Sequence, residues 1–313
     1  MARVILVGGA GFIGQSVARE LDQRGHEACV LDSPRRLARL SREDGGREHQ
    51  ELNWKDHSGL RRVLQKSDVI IHLAWSSTPA DSMSGICDDA EINILRSIRL
   101  LEAAQSAAVP RFMFASSGGT VYGNSLDQCP RVETDATNPV SAYGVSKLAV
   151  ERYVDLYARK NNTIGINLRM GNPYGPDQYR GATVGAIAHF IYAAARSEGL
   201  DIFGDGSIVR DYLYIDDLAN AICLIAEPEF RRSGSYNIGS GQGTSIGELI
   251  KKISLITEKQ LVVNYDTHRS MDVSYIVLDC ESLSSLTGWR PKTDLLTGLK
   301  IMWRHANKEI PDH

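Results

Sequence analysis

The chain has 313 residues, 42% of them hydrophobic and 23% charged, with a formal net charge of −3 at pH 7. That length accommodates a full open sheet and a smaller second lobe, and the near-neutral balance gives no general attraction to nucleic acid or anionic lipid. No stretch approaches the roughly 20 uninterrupted apolar residues that span a bilayer. Cys29, Cys87, Cys129, Cys223 and Cys280 are scattered, without a CxxC or histidines at metal-ligand spacing, which argues for free thiols in a reducing cytoplasm and for no metal site.

The opening run Val4–Val7 stops at Gly8; it is too short for a signal-peptide core and reads as a buried strand. Ala28–Leu31, Val69–Leu73, Arg111–Ala115 and Ile164–Leu168 read the same way, each followed by a helical pattern. Such alternation predicts an α/β fold: a doubly wound parallel sheet of the Rossmann type with helices on both faces. Ile13, Val17 and Leu21 recur every fourth residue in the first helix, and Gly25 stands where a left-handed cap is wanted.

Beyond about residue 170 the alternation loosens, and Phe203-Gly204-Asp205-Gly206-Ser207 reads as a turn. Residues 1–170 are therefore expected to form the dinucleotide-binding domain and 171–313 mainly a smaller α/β substrate lobe. With no linker between them, the chain is expected to cross back at about 205–240. Asp216 and Asp217 precede the apolar helical run Leu218–Ile225 and are read as caps for its free amides.

Gly8-Gly9-Ala10-Gly11-Phe12-Ile13-Gly14 follows the first strand directly. Gly8 permits a tight turn, Gly11 lets a pyrophosphate approach the backbone, and Gly14 lets helix pack on strand, while Phe12 and Ile13 open the helix whose N-terminus faces the anion. Asp32 closes the second strand, where a carboxylate accepts from both ribose hydroxyls of adenosine and repels a 2′-phosphate, so NAD is expected. Arg35, Arg36, Arg39 and Arg42 follow it; a solvated basic helix face is preferred over a 2′-phosphate clamp because Asp32 stays in place.

Ser141-Ala142-Tyr143-Gly144-Val145-Ser146-Lys147 begins a helical run, so Tyr143 and Lys147 share one face. A tyrosine titrates near pH 10, but a neighbouring ammonium and a positively charged nicotinamide both favour phenolate, so Tyr143 is expected to have a lowered pKa and to serve as a proton acceptor.

The chain resembles the extended short-chain dehydrogenase/reductases, the NAD-dependent epimerase/dehydratase group, and within them the UDP-glucose 4-epimerases. The resemblance rests on Gly8 to Gly14, Asp32, His72-Leu73-Ala74, Ser116-Ser117-Gly118-Gly119-Thr120-Val121-Tyr122-Gly123, Tyr143 with Lys147, Asn172-Pro173-Tyr174-Gly175-Pro176, Arg210-Asp211-Tyr212, Tyr236-Asn237-Ile238-Gly239, and Arg269 with Asp272.

By that resemblance Tyr143 exchanges the C4 hydroxyl proton of a nucleotide-diphosphate sugar, and Lys147 holds the nicotinamide ribose. Asn53, with Trp54 beside it, falls at an adenine contact, and Leu73, Ala74 and Trp75 line the cofactor pyrophosphate. Arg210 and Arg269 anchor the substrate diphosphate; Asn172 and Asp272 join them as substrate contacts. Ile276 stands where the wall meets the sugar C2 substituent, leaving acetamido specificity open. Gly118 replaces a serine or threonine that hydrogen-bonds the reacting hydroxyl, leaving Thr120 and Ser117 to orient it, with Thr120 expected to matter more. No acid stands at Gly118-Gly119-Thr120, so epimerisation ranks ahead of dehydration or ketoreduction, and a non-catalytic NAD sensor ranks last. The resemblance further implies a homodimer through a four-helix bundle of the helices near Asn93–Ala108 and Tyr143–Lys160, and a place in polysaccharide synthesis.

Overall fold

A computed structural model describes residues 1–40, 46–124, 127–178, 185–266 and 272–309; Arg42 lies outside them. Its strands are β1 Arg3–Val7, β2 Glu27–Asp32, β3 Glu48–Glu51, β4 Val69–His72, β5 Arg111–Ser117, β6 Ile164–Met170, β7 Asn172–Tyr174, β8 Leu200–Phe203, β9 Val209–Tyr214, β10 Gly234–Ile238, β11 Gly243–Ser245 and β12 Val263–Asp266. Seven of them form a parallel sheet in the order β10-β6-β5-β4-β1-β2-β3, which is the doubly wound fold that the strand-helix alternation predicts. The order reverses between β1 and β4, so their carboxyl ends open the crevice in which such sheets take ligands.

Strand alternation explains why helices cover both faces. In β1, Val4 and Leu6 enter one apolar cluster while Ile5 and Val7 enter the other. β5 divides in the same way, Met113 and Ala115 against Phe112 and Phe114. β3, with the sequence Glu-His-Gln-Glu, carries no apolar signal and is half-exposed; it is an edge strand held by backbone pairing to β2. β10 follows the helix Ile215–Ala226 and pairs with β6. Buried Arg111, at the start of β5, donates to the carbonyls of Ile225, Ala226 and Glu227 at the end of that helix, where the helix dipole favours a cation.

β11, β9 and β7 form a three-stranded sheet, and β12 pairs with β8. The capping expectation for Asp217 is corrected. The helix Ile215–Ala226 has Tyr214 as its N-cap and no side-chain cap. Asp217 instead accepts from the backbone amides of Lys292 at 3.1 Å and Thr293 at 2.9 Å, because the C-terminal segment passes over that first turn. Among the described residues no helix is long and apolar enough to cross a membrane.

Candidate active site

At the carboxyl end of β1 the chain turns with Gly8 at φ +86°, a conformation L side chains avoid, and a Cβ there would stand 2.5 Å from the Ala74 backbone nitrogen. A Cβ on Gly14 would meet Gly9 at 2.5 Å, whereas one on Gly11 would meet only Gly8 O at 3.3 Å and Arg36 Nη1 at 3.5 Å. The first and third glycines are thus demanded by backbone packing, and the middle one faces the open side. The helix Phe12–Gln23 that follows has no side-chain cap on Gly11, leaving first-turn amides of Phe12 and Ile13 available to an anion in front of them. Asp32 is buried and accepts from Ala10 N at 3.1 Å and Ser33 N at 2.7 Å, so its carboxylate is pinned beside the turn. These features fit a dinucleotide.

Leu73 and Ala74 leave β4 with both amides bonded to Val7 O, at 2.8 and 2.9 Å, which brings them against the glycine turn. Asn53 is exposed just beyond β3, its Oδ1 accepting from Lys55 N at 3.0 Å. Trp54 stands edge-on to His72, ring centroids 6.3 Å apart.

Tyr143 and Lys147 project from the helix Ala142–Asn161, whose first turn is capped by the Ser141 hydroxyl on Gly144 N and by the Ser82 hydroxyl on Tyr143 N. Lys147 is buried, donates to Ala115 O at 2.7 Å, and lies 3.7 Å from the centroid of the Trp75 ring, a cation–π contact. Trp75 therefore faces the lysine, and its own Nε1 is buried without a partner among the described residues. The chain's own groups do not produce the expected lowering of the Tyr143 pKa. Burial pushes it up, Asp89 pushes it further, and the Ser117 hydroxyl that hydrogen-bonds it pulls the other way. The Lys147 ammonium is 5.4 Å from the tyrosine ring. Burial also drives the Lys147 pKa well down, against the negative charges of Asp89 and Glu151.

A cleft of 580 Å³ is lined by Tyr143, Ser117, Thr120, Asn172, Gln178, Tyr212, Arg210 and Asp272, among others. Arg210 donates to Val209 O and Val273 O and lies 3.9 Å from Asp272; burial lowers its pKa although Asp272 opposes the shift. Arg269 lies outside the described residues.

Two expectations are corrected on this side. A Cβ on Gly118 would strike Leu278 at 2.6 Å, away from the cleft, while one on Gly119 would come to 3.6 Å from Asn172 Oδ1 and 3.7 Å from Ser117 Oγ. In this backbone Gly118 is a packing glycine, not the site of a missing sugar contact. Ile276 is fully buried in a cluster with Val121, Tyr122, Val273 and Leu278 and does not line the cleft; Val273 does.

Gln178 carried no signal in the sequence, whereas Thr120 and Tyr212 stand in motifs named above. Thr120 Oγ1, Gln178 Oε1 and the Tyr212 hydroxyl are buried with no hydrogen-bond partner among the described residues, and all three residues line the cleft. Orphaned buried donors and acceptors are costly unless something else satisfies them. Other motif residues prove to be internal ties. Asp211 accepts from the amides of Ser240, Gly241 and Leu278, Gly239 leaves room for that carboxylate, and Asn237 accepts from the Tyr122 hydroxyl.

The chain matches the NAD dependent epimerase/dehydratase family over residues 4–239. It is 31% identical to the dTDP-4-dehydro-6-deoxyglucose reductase of Escherichia coli across 95% of both chains. The UDP-glucose 4-epimerase of Thermotoga maritima, solved with UDP-glucose, superposes with a TM-score of 0.89 at 34% identity, covering 98% of this chain and 99% of that one. The Thermus thermophilus UDP-glucose 4-epimerase, solved with NAD, gives 0.89 at 31% identity over 97% and 99%.

Proposed function

This chain belongs to the NAD-dependent epimerase/dehydratase family, and we propose that it catalyses NAD-dependent 4-epimerisation of a UDP-sugar. The observation that carries this reading is the arrangement of Tyr143, with Ser117 on its phenol and Lys147 one turn along the helix, in a cleft that Arg210 also lines. NAD bound at the glycine turn would supply the hydride acceptor and later the hydride donor. Gly8, Gly11, Phe12, Ile13, Gly14 and Asp32 would hold it, with Asn53 and Trp54 toward the adenine and Leu73, Ala74 and Trp75 along the pyrophosphate.

Tyr143 takes the proton of the sugar 4-hydroxyl and returns it after the 4-keto sugar has turned about its diphosphate linkage. Lys147 favours the phenolate through its charge. Ser117 and Thr120 orient the hydroxyl. Arg210, with Arg269, grips the diphosphate by the planar fork that suits phosphate oxygens, while Asn172 and Asp272 complete the substrate side. A sugar held by its distal phosphates and loosely at the ring can present either face.

Incubation of the purified protein with UDP-glucose, UDP-N-acetylglucosamine and UDP-glucuronate, followed by NMR, tests this. The expected result is a C4 epimer with no net change in NAD. The second reading, a ketoreductase, has the reductase relative in its favour; net oxidation of NADH on a 4-keto sugar nucleotide, without epimer, would establish it instead.

The reading extends to a cytoplasmic homodimer that supplies sugar nucleotides for polysaccharide. In its support, Ile86, Leu95, Val145, Tyr153 and Leu156 are exposed apolar side chains on neighbouring helices, the pattern of a covered helix face. Light scattering should give twice the chain mass.

A further inference from the structure

Asp89 is a buried carboxylate that the proposed reaction does not use. It accepts from three side chains: the hydroxyl of Ser77, which lines the cleft, Asn93 Nδ2 at 2.9 Å, and the hydroxyl of Ser146 at 2.5 Å. Ser146 stands on the helix Ala142–Asn161, between Tyr143 and Lys147. The same network runs on. Asn93 Oδ1 accepts from the amide and hydroxyl of Ser76 at 3.1 and 2.9 Å, its carbonyl accepts from Ser97 Oγ, and Ser97 meets His72 Nε2 at 2.9 Å. The segment that follows Asp89, Ala90–Leu95, is π-helical, a rare geometry concentrated at functional sites.

Charge makes the network more than a brace. Lys147 keeps its ammonium in a pocket of Trp75 and Phe114 rings, and burial disfavours that charge. Two carboxylates face it. Glu151 is fully buried and committed to Arg169 at 2.7 Å, so its charge is already met. Asp89 has no salt bridge among the described residues; its partners are all neutral. His72, the other titratable group facing Lys147, is pushed down to about 3 by burial and by that lysine, so it is uncharged.

We propose that Asp89 is a positioning residue of this site: it ties the cleft wall at Ser77 to the helix carrying Tyr143 and Lys147, and it supplies the negative charge that holds Lys147 as an ammonium. The proposal rests on the assignment of Tyr143 and Lys147 to proton transfer. Removing a negative charge makes deprotonation easier at both neighbours, Tyr143 and Lys147, so both limbs of a bell-shaped profile move the same way.

In Asp89→Asn, both limbs of kcat against pH should shift to lower pH by about one pH unit. A merely structural role would lower kcat without moving either limb. A folded Asp89→Asn protein with parental limbs overturns the proposal. Tyr143→Phe separates the two assignments, because full turnover in that variant sinks the proton-transfer reading itself, whereas an inactive Tyr143→Phe beside an unshifted Asp89→Asn sinks only the role of Asp89. If Asp89→Asn fails to fold, the parent decides. With lysines labelled at 13Cε and the Lys147 signal identified by Lys147→Arg, the expected resonance is that of an ammonium at neutral pH, and a neutral amine overturns the proposal.

Discussion

On the wall of the crevice between β1, β2 and β4, close approaches are backbone against backbone, and the Asp32 carboxylate is satisfied by neighbouring amides. On the opposite wall, from β5 to β9, the buried polar atoms of Thr120, Gln178 and Tyr212 have no partner among the described residues, and burial pushes the Tyr212 phenol up to about 12. The first wall leaves His72 Nδ1 and Trp75 Nε1 unpartnered at the end of β4, whereas the second gathers its unmet hydrogen-bonding capacity along the cleft, for something to be held there. Steric demand shapes the first, and unmet polarity shapes the second.

That contrast can be broken from either side. The largest expected effect is Tyr143→Phe, which should cut kcat by about 10³-fold while NAD affinity, measured by calorimetry, stays near the parent value; retained turnover would remove the chemistry from the second wall. Next is Gly8→Ala, which forces a Cβ into the Ala74 backbone at positive φ and should cost on the order of 3 kcal/mol in a urea melt, with NAD binding lost. An unperturbed melt would mean that the first wall yields where its geometry says it cannot.

Thr120→Val sharpens the second wall. Because its Oγ1 has no partner, the substitution should leave stability unchanged or raise it by about 1 kcal/mol, and lower kcat/KM about tenfold. A loss of stability would show that the hydroxyl is bonded within the fold. The smallest effect is expected from Ile276→Val, about 1 kcal/mol of stability from a core methyl, with the preference between UDP-glucose and UDP-N-acetylglucosamine untouched. A changed preference would return position 276 to the sugar wall.

The two walls were also unequally legible. Gly8, Gly14 and Asp32 could be read from the chain because their reasons are local: a turn, a helix start and a strand end within a short stretch. Gly118 misled, since its neighbour is Leu278 from a distant segment, and spacing along the serine-rich stretch says nothing about what packs behind it. Ile276 misled for the same reason, its side chain being turned toward Val121 and Tyr122. Asp89 carried no motif at all; only its convergence with Ser77, Asn93 and Ser146 marks it.

By itself the sequence determined the parallel sheet, the phosphate-facing turn and the placing of Tyr143 and Lys147 on one helix face, because each follows from periodicity or sterics over a few consecutive residues. The tertiary structure alone decided that β3 joins the edge through backbone pairing, that Asp217 ties the C-terminal segment and not its own helix, and which polar atoms remain unpaired in the cleft. Those outcomes depend on which distant segments meet, and burial, charge and hydrogen-bond satisfaction are properties of that meeting.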